Sequence, residues 1–211
     1  MLDNYSMLPN GVIKQNIITE EFKYDVEYIK ERYDSEAYKD NVKKMSFMRL
    51  GYVIGSLGYI PQSILDVGYG NGDFLKACST IILNCYGNDV NDYPLPWEVS
   101  FVDDIMKSEY EVITFFDALE HFEDIYFVKD LKCKYIVISV PNCHYFSDEW
   151  FKEWKHRREN EHLYHFNEKS LIKFMDECGY DMVNVSNIED SIRKNNHDYT
   201  NILTGTFKKR I

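Results

Sequence analysis

Ile64-Leu65-Asp66-Val67-Gly68-Tyr69-Gly70-Asn71-Gly72-Asp73-Phe74 decides the fold of this 211-residue chain. Apolar residues flank an acid, and glycines then fall on alternate positions before an apolar, helix-forming segment. The pattern reads as a buried strand, a tight turn and a helix N-terminus. Gly68 and Gly70 let the backbone take positive φ or approach a ligand closely. The helix start offers unpaired N–H groups to a polar or anionic ligand. A dinucleotide fold asks for a third glycine or alanine where this chain has Asp73. A phosphate-binding loop asks for Gly-Lys-Ser or Gly-Lys-Thr, and no such sequence follows. A glycine loop alone is a weak signal, so the remaining chain must carry the weight.

Composition narrows the classes. The length suits one domain with a full core. No apolar run reaches 18 residues, so no membrane span is expected, and the N-terminus lacks a signal-peptide pattern. Cysteines stand at 78, 85, 133, 143 and 178 with no Cys-x-x-Cys pair, which fits reduced thiols in the cytoplasm. The formal net charge is −11, from 35 acids against 24 lysines and arginines. A field of that sign repels phosphate backbones and argues against general nucleic-acid binding.

The elements follow a readable order. Residues 1–20 carry little pattern and are expected to form an arm. Phe22, Val26, Ile29 and Tyr33 step at helical spacing, and Val42 to Leu57 repeats it, so 21–58 reads as helical. Strands are expected at 64–67, 81–86, 98–102, 112–116 and 135–140. Helices are expected at 74–79, 119–130 and 170–178, the last ended by Gly179. A polar and aromatic insert spans 143–166. Two strands, 182–188 and 201–207, close the chain around a polar turn. Alternating strands and helices predict a parallel sheet covered on both faces, and two final strands without a helix between them predict an antiparallel end.

The glycine loop, Leu119-Glu120-His121, Val140-Pro141-Asn142 and the terminal strand pair together resemble class I S-adenosylmethionine-dependent methyltransferases of the small-molecule, ubiquinone-biosynthesis type. The resemblance covers roughly residues 40–208. It implies an α/β Rossmann-like three-layer sandwich with a seven-stranded, mostly parallel sheet and an antiparallel last strand. Residues 1–40 would be an arm and helix, and 41–211 the methyltransferase domain, with a substrate lid at about 143–166.

The same resemblance distributes roles. The loop of Gly68, Tyr69, Gly70 and Gly72 would pass beneath the methionine part of S-adenosylmethionine, with Asp66 near its amino group. Asp89, with Val90 beside it, would accept from the ribose hydroxyls, as a carboxylate can from two neighbouring O–H groups. Asp104 would hold the adenine amino group and Ile105 its ring nitrogen; Asp103 is the neighbouring alternative. Phe116 and Asp117 would line the cofactor at a strand's C-terminal end, where ligands collect in open α/β sheets.

The acceptor is expected to be a small molecule, through an oxygen nucleophile, with a histidine taking its proton. His165 is the preferred base, then His121 and His162. Each is equally readable as a satisfied structural imidazole. Trp150 and Trp154 lie at i and i+4 beside Lys152, Lys155, Arg157 and Arg158, which reads either as a packed lid or as a substrate cap. A zinc site from Cys143, His144, His162 and His165 matches no strong ligand spacing, and no metal is expected. Two other readings stay open: an NAD-linked oxidoreductase, and a cofactor-binding protein without activity.

Overall fold

The computed structural model describes residues 2–24, 36–91, 93–193 and 197–210. Its centre is a seven-stranded sheet. The strands are β3 (Ser63–Val67), β4 (Asn84–Asn88), β5 (Val99–Phe101), β6 (Tyr110–Phe116), β7 (Cys133–Pro141), β9 (Tyr180–Ser186) and β10 (Ile202–Lys209). They lie in the order β5-β4-β3-β6-β7-β10-β9. From β5 to β7 every pairing is parallel. The last strand, β10, is antiparallel to both its neighbours, β7 and β9. This is the architecture expected from the alternation of elements.

Period-two alternation sorts the core into two layers. Ile64, Val112 and Val137 face helices α1 (Glu36–Leu57) and α2 (Asp73–Cys78), against Leu50, Val53, Phe74 and Leu75. Leu65, Ile113, Phe115, Ile136 and Ile138 face the other way, against Leu171, Phe174 and Met175 of helix α4 (Glu168–Glu177). Burial on both faces explains why β6 and β7 read as continuous apolar runs. Each fully buried Ile or Leu contributes ~1.5–3 kcal/mol. Helix α4 starts two residues earlier than its apolar pattern, because Asn167 and Ser170 form a reciprocal capping box. Gly179 follows it with φ +88°, as its position predicts.

Three expectations need correction. The arm at 1–20 holds two strands, β1 (Tyr5–Met7) and β2 (Ile13–Gln15). They pair antiparallel with each other, and β2 pairs with β8 (Tyr164–His165) from the insert. Residues 21–24 are not helical, and Val26, Ile29 and Tyr33 lie outside the described residues. The helix expected at 119–130 is instead two 3-10 turns, Leu119–His121 and Tyr126–Asp130. The Glu120 carbonyl accepts from the N–H of Leu163, 2.8 Å away, and the Asp124 side chain caps the Tyr126 N–H. Both contacts take backbone groups out of a helical ladder.

The insert is largely packed. Its short helix α3 (Asp148–Glu153) is capped by Ser147. Phe151 and Trp154 join Tyr5, Ile13 and Cys143 in a satellite core. Trp150 stacks on Trp154 at 5.4 Å. No helix among the described residues is long and apolar enough to cross a membrane.

Candidate active site

The C-terminal ends of β3, β4, β6 and β7 open into a cavity of about 520 Å³. Helix α1, the glycine loop, the insert, Tyr24, Ile192 and Arg193 also line it. The volume is in the range of small-molecule sites.

Gly68, Gly70 and Gly72 all have positive φ. A Cβ on Gly68 would stand 2.8 Å from Cβ of Ala118, so the glycine loop and the loop after β6 touch. Gly70 reaches the wall, and its N–H donates to Asp89 at 2.8 Å. Asn91 donates to the other oxygen of Asp89 through backbone and side chain. Asp89 therefore ties two loops together as well as facing the cavity. Those three bonds leave about one acceptor position on its carboxylate for a ligand's hydroxyl. Burial raises its pKa.

Asp66 is only 3% exposed and accepts from the Thr114 hydroxyl at 2.5 Å. Burial lifts its pKa from 3.8 to about 7, against the opposing pull of that hydrogen bond and of Arg49. Folding therefore takes up a proton between those values. The stability Asp66 contributes is complete in acid and is lost as pH rises towards 7. Asp66→Asn keeps the neutral shape and removes the titration. Denaturation midpoints of the cofactor-free chain should fall from ~pH 5 to ~pH 8 in the wild type and change less in the variant. Equal slopes in the two proteins would remove Asp66 as the cause.

Phe116, the last residue of β6, and Asp117 after it line the cavity. Asp117 takes φ +54°, uncommon for a residue with a side chain. Its carboxylate accepts from Arg49 at 3.0 Å and from Arg193 at 2.7 Å. Both arginines also bond Glu189, which is fully buried. Burial alone would lower the two guanidinium pKa values. The Glu189 and Asp117 carboxylates override it and hold both groups charged. Arg49 also stacks 4.4 Å over the Phe116 ring. Neither arginine nor Glu189 was singled out in the sequence. Arg49 is one of three basic residues in the Val42–Leu57 helical pattern, after Lys43 and Lys44, and Glu189 falls in what reads as a solvated turn.

The cavity gathers Asp66, Gly68, Tyr69, Gly70, Asp89, Val90, Phe116, Asp117, His121 and His162 of the expected residues. It does not gather Gly72, Asp104, Ile105 or His165. Gly72 is covered by Pro96 and Leu95. Asp104 caps the Met106 N–H and sits near Lys107, while Ile105 packs on the core. His165 is 3% exposed, ringed by Tyr5, Phe151 and Trp154. Burial pushes its pKa down to about 3. Its ring centroid lies 6.5 Å from that of His162, but only His162 reaches the cavity wall. The zinc combination is not assembled either: Cys143 joins the satellite core and His144 bonds the Thr200 carbonyl.

At the insert end of the cavity, the His121 and His162 rings meet edge to face at 4.8 Å. His121 Nδ1 lies 2.8 Å from the Glu161 carbonyl and 2.8 Å from the Tyr24 hydroxyl. A carbonyl only accepts, so Nδ1 carries the proton. Burial, then the neighbouring imidazoles and Arg158, holds His162 well below its ordinary pKa. Glu120 stands behind them, 1% exposed, and burial raises its pKa well above the ordinary value.

Among the described residues, no cation is bonded to two acids on this wall, Asp66 and Asp89. Such a wall suits a ligand carrying positive charge and hydroxyl groups. It opposes a pyrophosphate, as does Asp73 in the first turn of α2.

Residues 30–185 match the family model described as a methyltransferase domain. No curated protein sequence matches the chain. Solved structures share the fold at low identity. The Burkholderia thailandensis 1,6-didemethyltoxoflavin-N1-methyltransferase, with bound 1,6-didemethyltoxoflavin and S-adenosylhomocysteine, is 13% identical. It aligns over 99% of this chain and 100% of its own, with a TM-score of 0.61. An S-adenosylmethionine-dependent methyltransferase from Clostridium acetobutylicum is also 13% identical, over 86% of this chain and 96% of its own, at 0.59. Magnesium protoporphyrin IX methyltransferase from Synechocystis, with bound S-adenosylmethionine, is 11% identical over 90% and 87%, at 0.56. With the family model spanning most of its length, the sheet order and the glycine loop in place, the chain belongs to the S-adenosylmethionine-dependent methyltransferases.

Proposed function

We propose that this methyltransferase moves the methyl group to an oxygen of a small-molecule acceptor held between the glycine loop and the 143–166 insert. One observation carries the reading. A single cavity is lined by the glycine loop, Asp66 and Asp89 and also by His121 and His162, with buried Glu120 grouped against those two histidines. When bound, S-adenosylmethionine supplies a methyl carbon already activated by its sulfonium charge.

The chain's own residues do the rest. Asp66 and Asp89 favour a cationic donor, and Asp89 offers its remaining acceptor position to a hydroxyl of the donor. Gly70 lets the loop lie against the donor. Val90 and Asn91 are the wall residues beside Asp89 available to the adenine end; Asp104 and Ile105 lie outside the cavity lining. The Arg49–Asp117–Glu189–Arg193 group holds the loop after β6 in place, so that donor and acceptor meet in a fixed geometry. Alignment of that kind is the larger catalytic contribution. The acceptor hydroxyl loses its proton at the Glu120–His121–His162 corner. His165, walled off by aromatics, serves the packing of the insert.

The small-molecule acceptor is supported by the named activities of the Burkholderia and Synechocystis proteins and by the enclosed cavity. A cytoplasmic setting is supported by five buried, unpaired cysteines.

Transfer of labelled methyl from S-adenosylmethionine to a panel of hydroxylated aromatic compounds and their amino counterparts tests the reading. Label should appear on oxygen. Label on nitrogen would overturn the oxygen assignment. A chain that binds S-adenosylhomocysteine and labels nothing would fit a silent binding protein instead.

A further inference from the structure

We infer that Glu120, His121 and His162 form a binding site for one divalent transition-metal cation at the acceptor end of the cavity. Ligand atoms from the three side chains lie within 4.8 Å of one another. Glu120 is 1% exposed, and among the described residues neither of its carboxylate oxygens has a hydrogen-bond partner. A buried carboxylate without a partner is costly, and proteins rarely retain one without a use. A cation is the partner that two imidazoles and a carboxylate jointly suit.

The histidines are set up for that role. His121 directs Nδ1–H to the Glu161 carbonyl, which leaves the lone pair on Nε2. Ligating histidines commonly have the other ring nitrogen held in this way, which fixes tautomer and ring orientation. His121 and His162 reach the cavity wall while Glu120 stands behind them, so protein ligands occupy one side of the site. Two imidazoles and one carboxylate with open positions favour a divalent first-row ion over calcium or magnesium. With metal–ligand bonds of ~2.1 Å the donor atoms would stand roughly 3–3.5 Å apart, so binding draws the side chains inward.

Resting on the methyl-transfer reading, the cation would take the acceptor oxygen as a further ligand. It would bind that oxygen as its conjugate base, releasing the hydroxyl proton to solvent. The C–O bond then forms as the C–S bond breaks, and the electron pair of that bond leaves with sulfur.

Full-length chain stripped with chelator is titrated with Co²⁺, followed by calorimetry and visible absorption, and separately with S-adenosylhomocysteine. One equivalent of Co²⁺ should bind with a ligand-field spectrum of nitrogen and oxygen coordination, and Zn²⁺ should displace it and raise the Tm. Glu120→Gln and His162→Gln should each weaken Co²⁺ binding by at least roughly 100-fold, since even groups that only orient a ligand are worth ~10–100-fold. Melting of each metal-free variant checks its fold, and Glu120→Gln should melt no lower than wild type, having lost an unpartnered buried acid. No Co²⁺ binding by the wild type, or unchanged affinity in a folded variant, overturns the site. Co²⁺ binding without S-adenosylhomocysteine binding would leave the site standing and remove the methyl-transfer reading instead.

Discussion

Gly70→Val should abolish measurable binding of S-adenosylmethionine and S-adenosylhomocysteine while the chain still folds. Gly70 has φ +58° on the cavity wall, and its N–H bonds Asp89. A β-branched residue at that φ costs ~1–3 kcal/mol of local strain. The loop must relieve the strain by moving, and the added side chain enters the space where the donor lies. The sheet does not depend on this residue, so the loss of stability should stay within that range. Calorimetry with S-adenosylhomocysteine, alongside a melting curve, separates the two effects. Undiminished affinity in a folded variant would remove the glycine loop from the binding site.

Glu189→Ala should be among the most destabilising single changes in the chain. Glu189 accepts from Arg49 at 2.7 Å, from Arg193 at 3.0 Å and from the Ser139 hydroxyl at 2.9 Å. Its removal leaves two largely buried guanidinium groups facing Asp117 alone. Breaking a buried ion pair by deleting one partner costs ~3–5 kcal/mol. For a chain of this size the Tm should fall by roughly 6–20 °C. The variant should also bind S-adenosylhomocysteine less well, because Asp117 and Arg49 line the cavity. A loss below ~1 kcal/mol in urea unfolding would show that solvent compensates these charges.

What was legible in the sequence was local. The strand at Ile64–Val67, the glycine turn and α2 follow from adjacent residues, and β6 and β7 follow from runs buried on both faces. The order of elements then fixes the sheet, including the antiparallel end. The features that escaped depend on partners far along the chain. Strand β2 finds β8 about 150 residues later, through Ile13 opposite His165, so neither short segment shows a strong pattern alone. The turn at Glu120 forms because its carbonyl bonds Leu163. Glu189 looks like a solvated acid until Arg49, 140 residues earlier, is placed beside it.

The candidate site divides in the same way. Asp66, Gly70, Asp89, Phe116 and Asp117 sit at strand ends, so finding the strands finds them. The histidines do not, because the placing of His162 and His165 depends on the turn closed by the Arg158 carbonyl and on the pairing of β8 with β2. His162 turns to the cavity and His165 to the hairpin core.

The most direct test is a crystal structure of the chain with bound S-adenosylhomocysteine. The ribose hydroxyls should lie on Asp89, the homocysteine part over Gly68–Gly70 near Asp66, and the sulfur should face the Glu120–His121–His162 corner across open space for an acceptor. A ligand whose sulfur points away from that corner, or whose ribose lies away from Asp89, would contradict this arrangement.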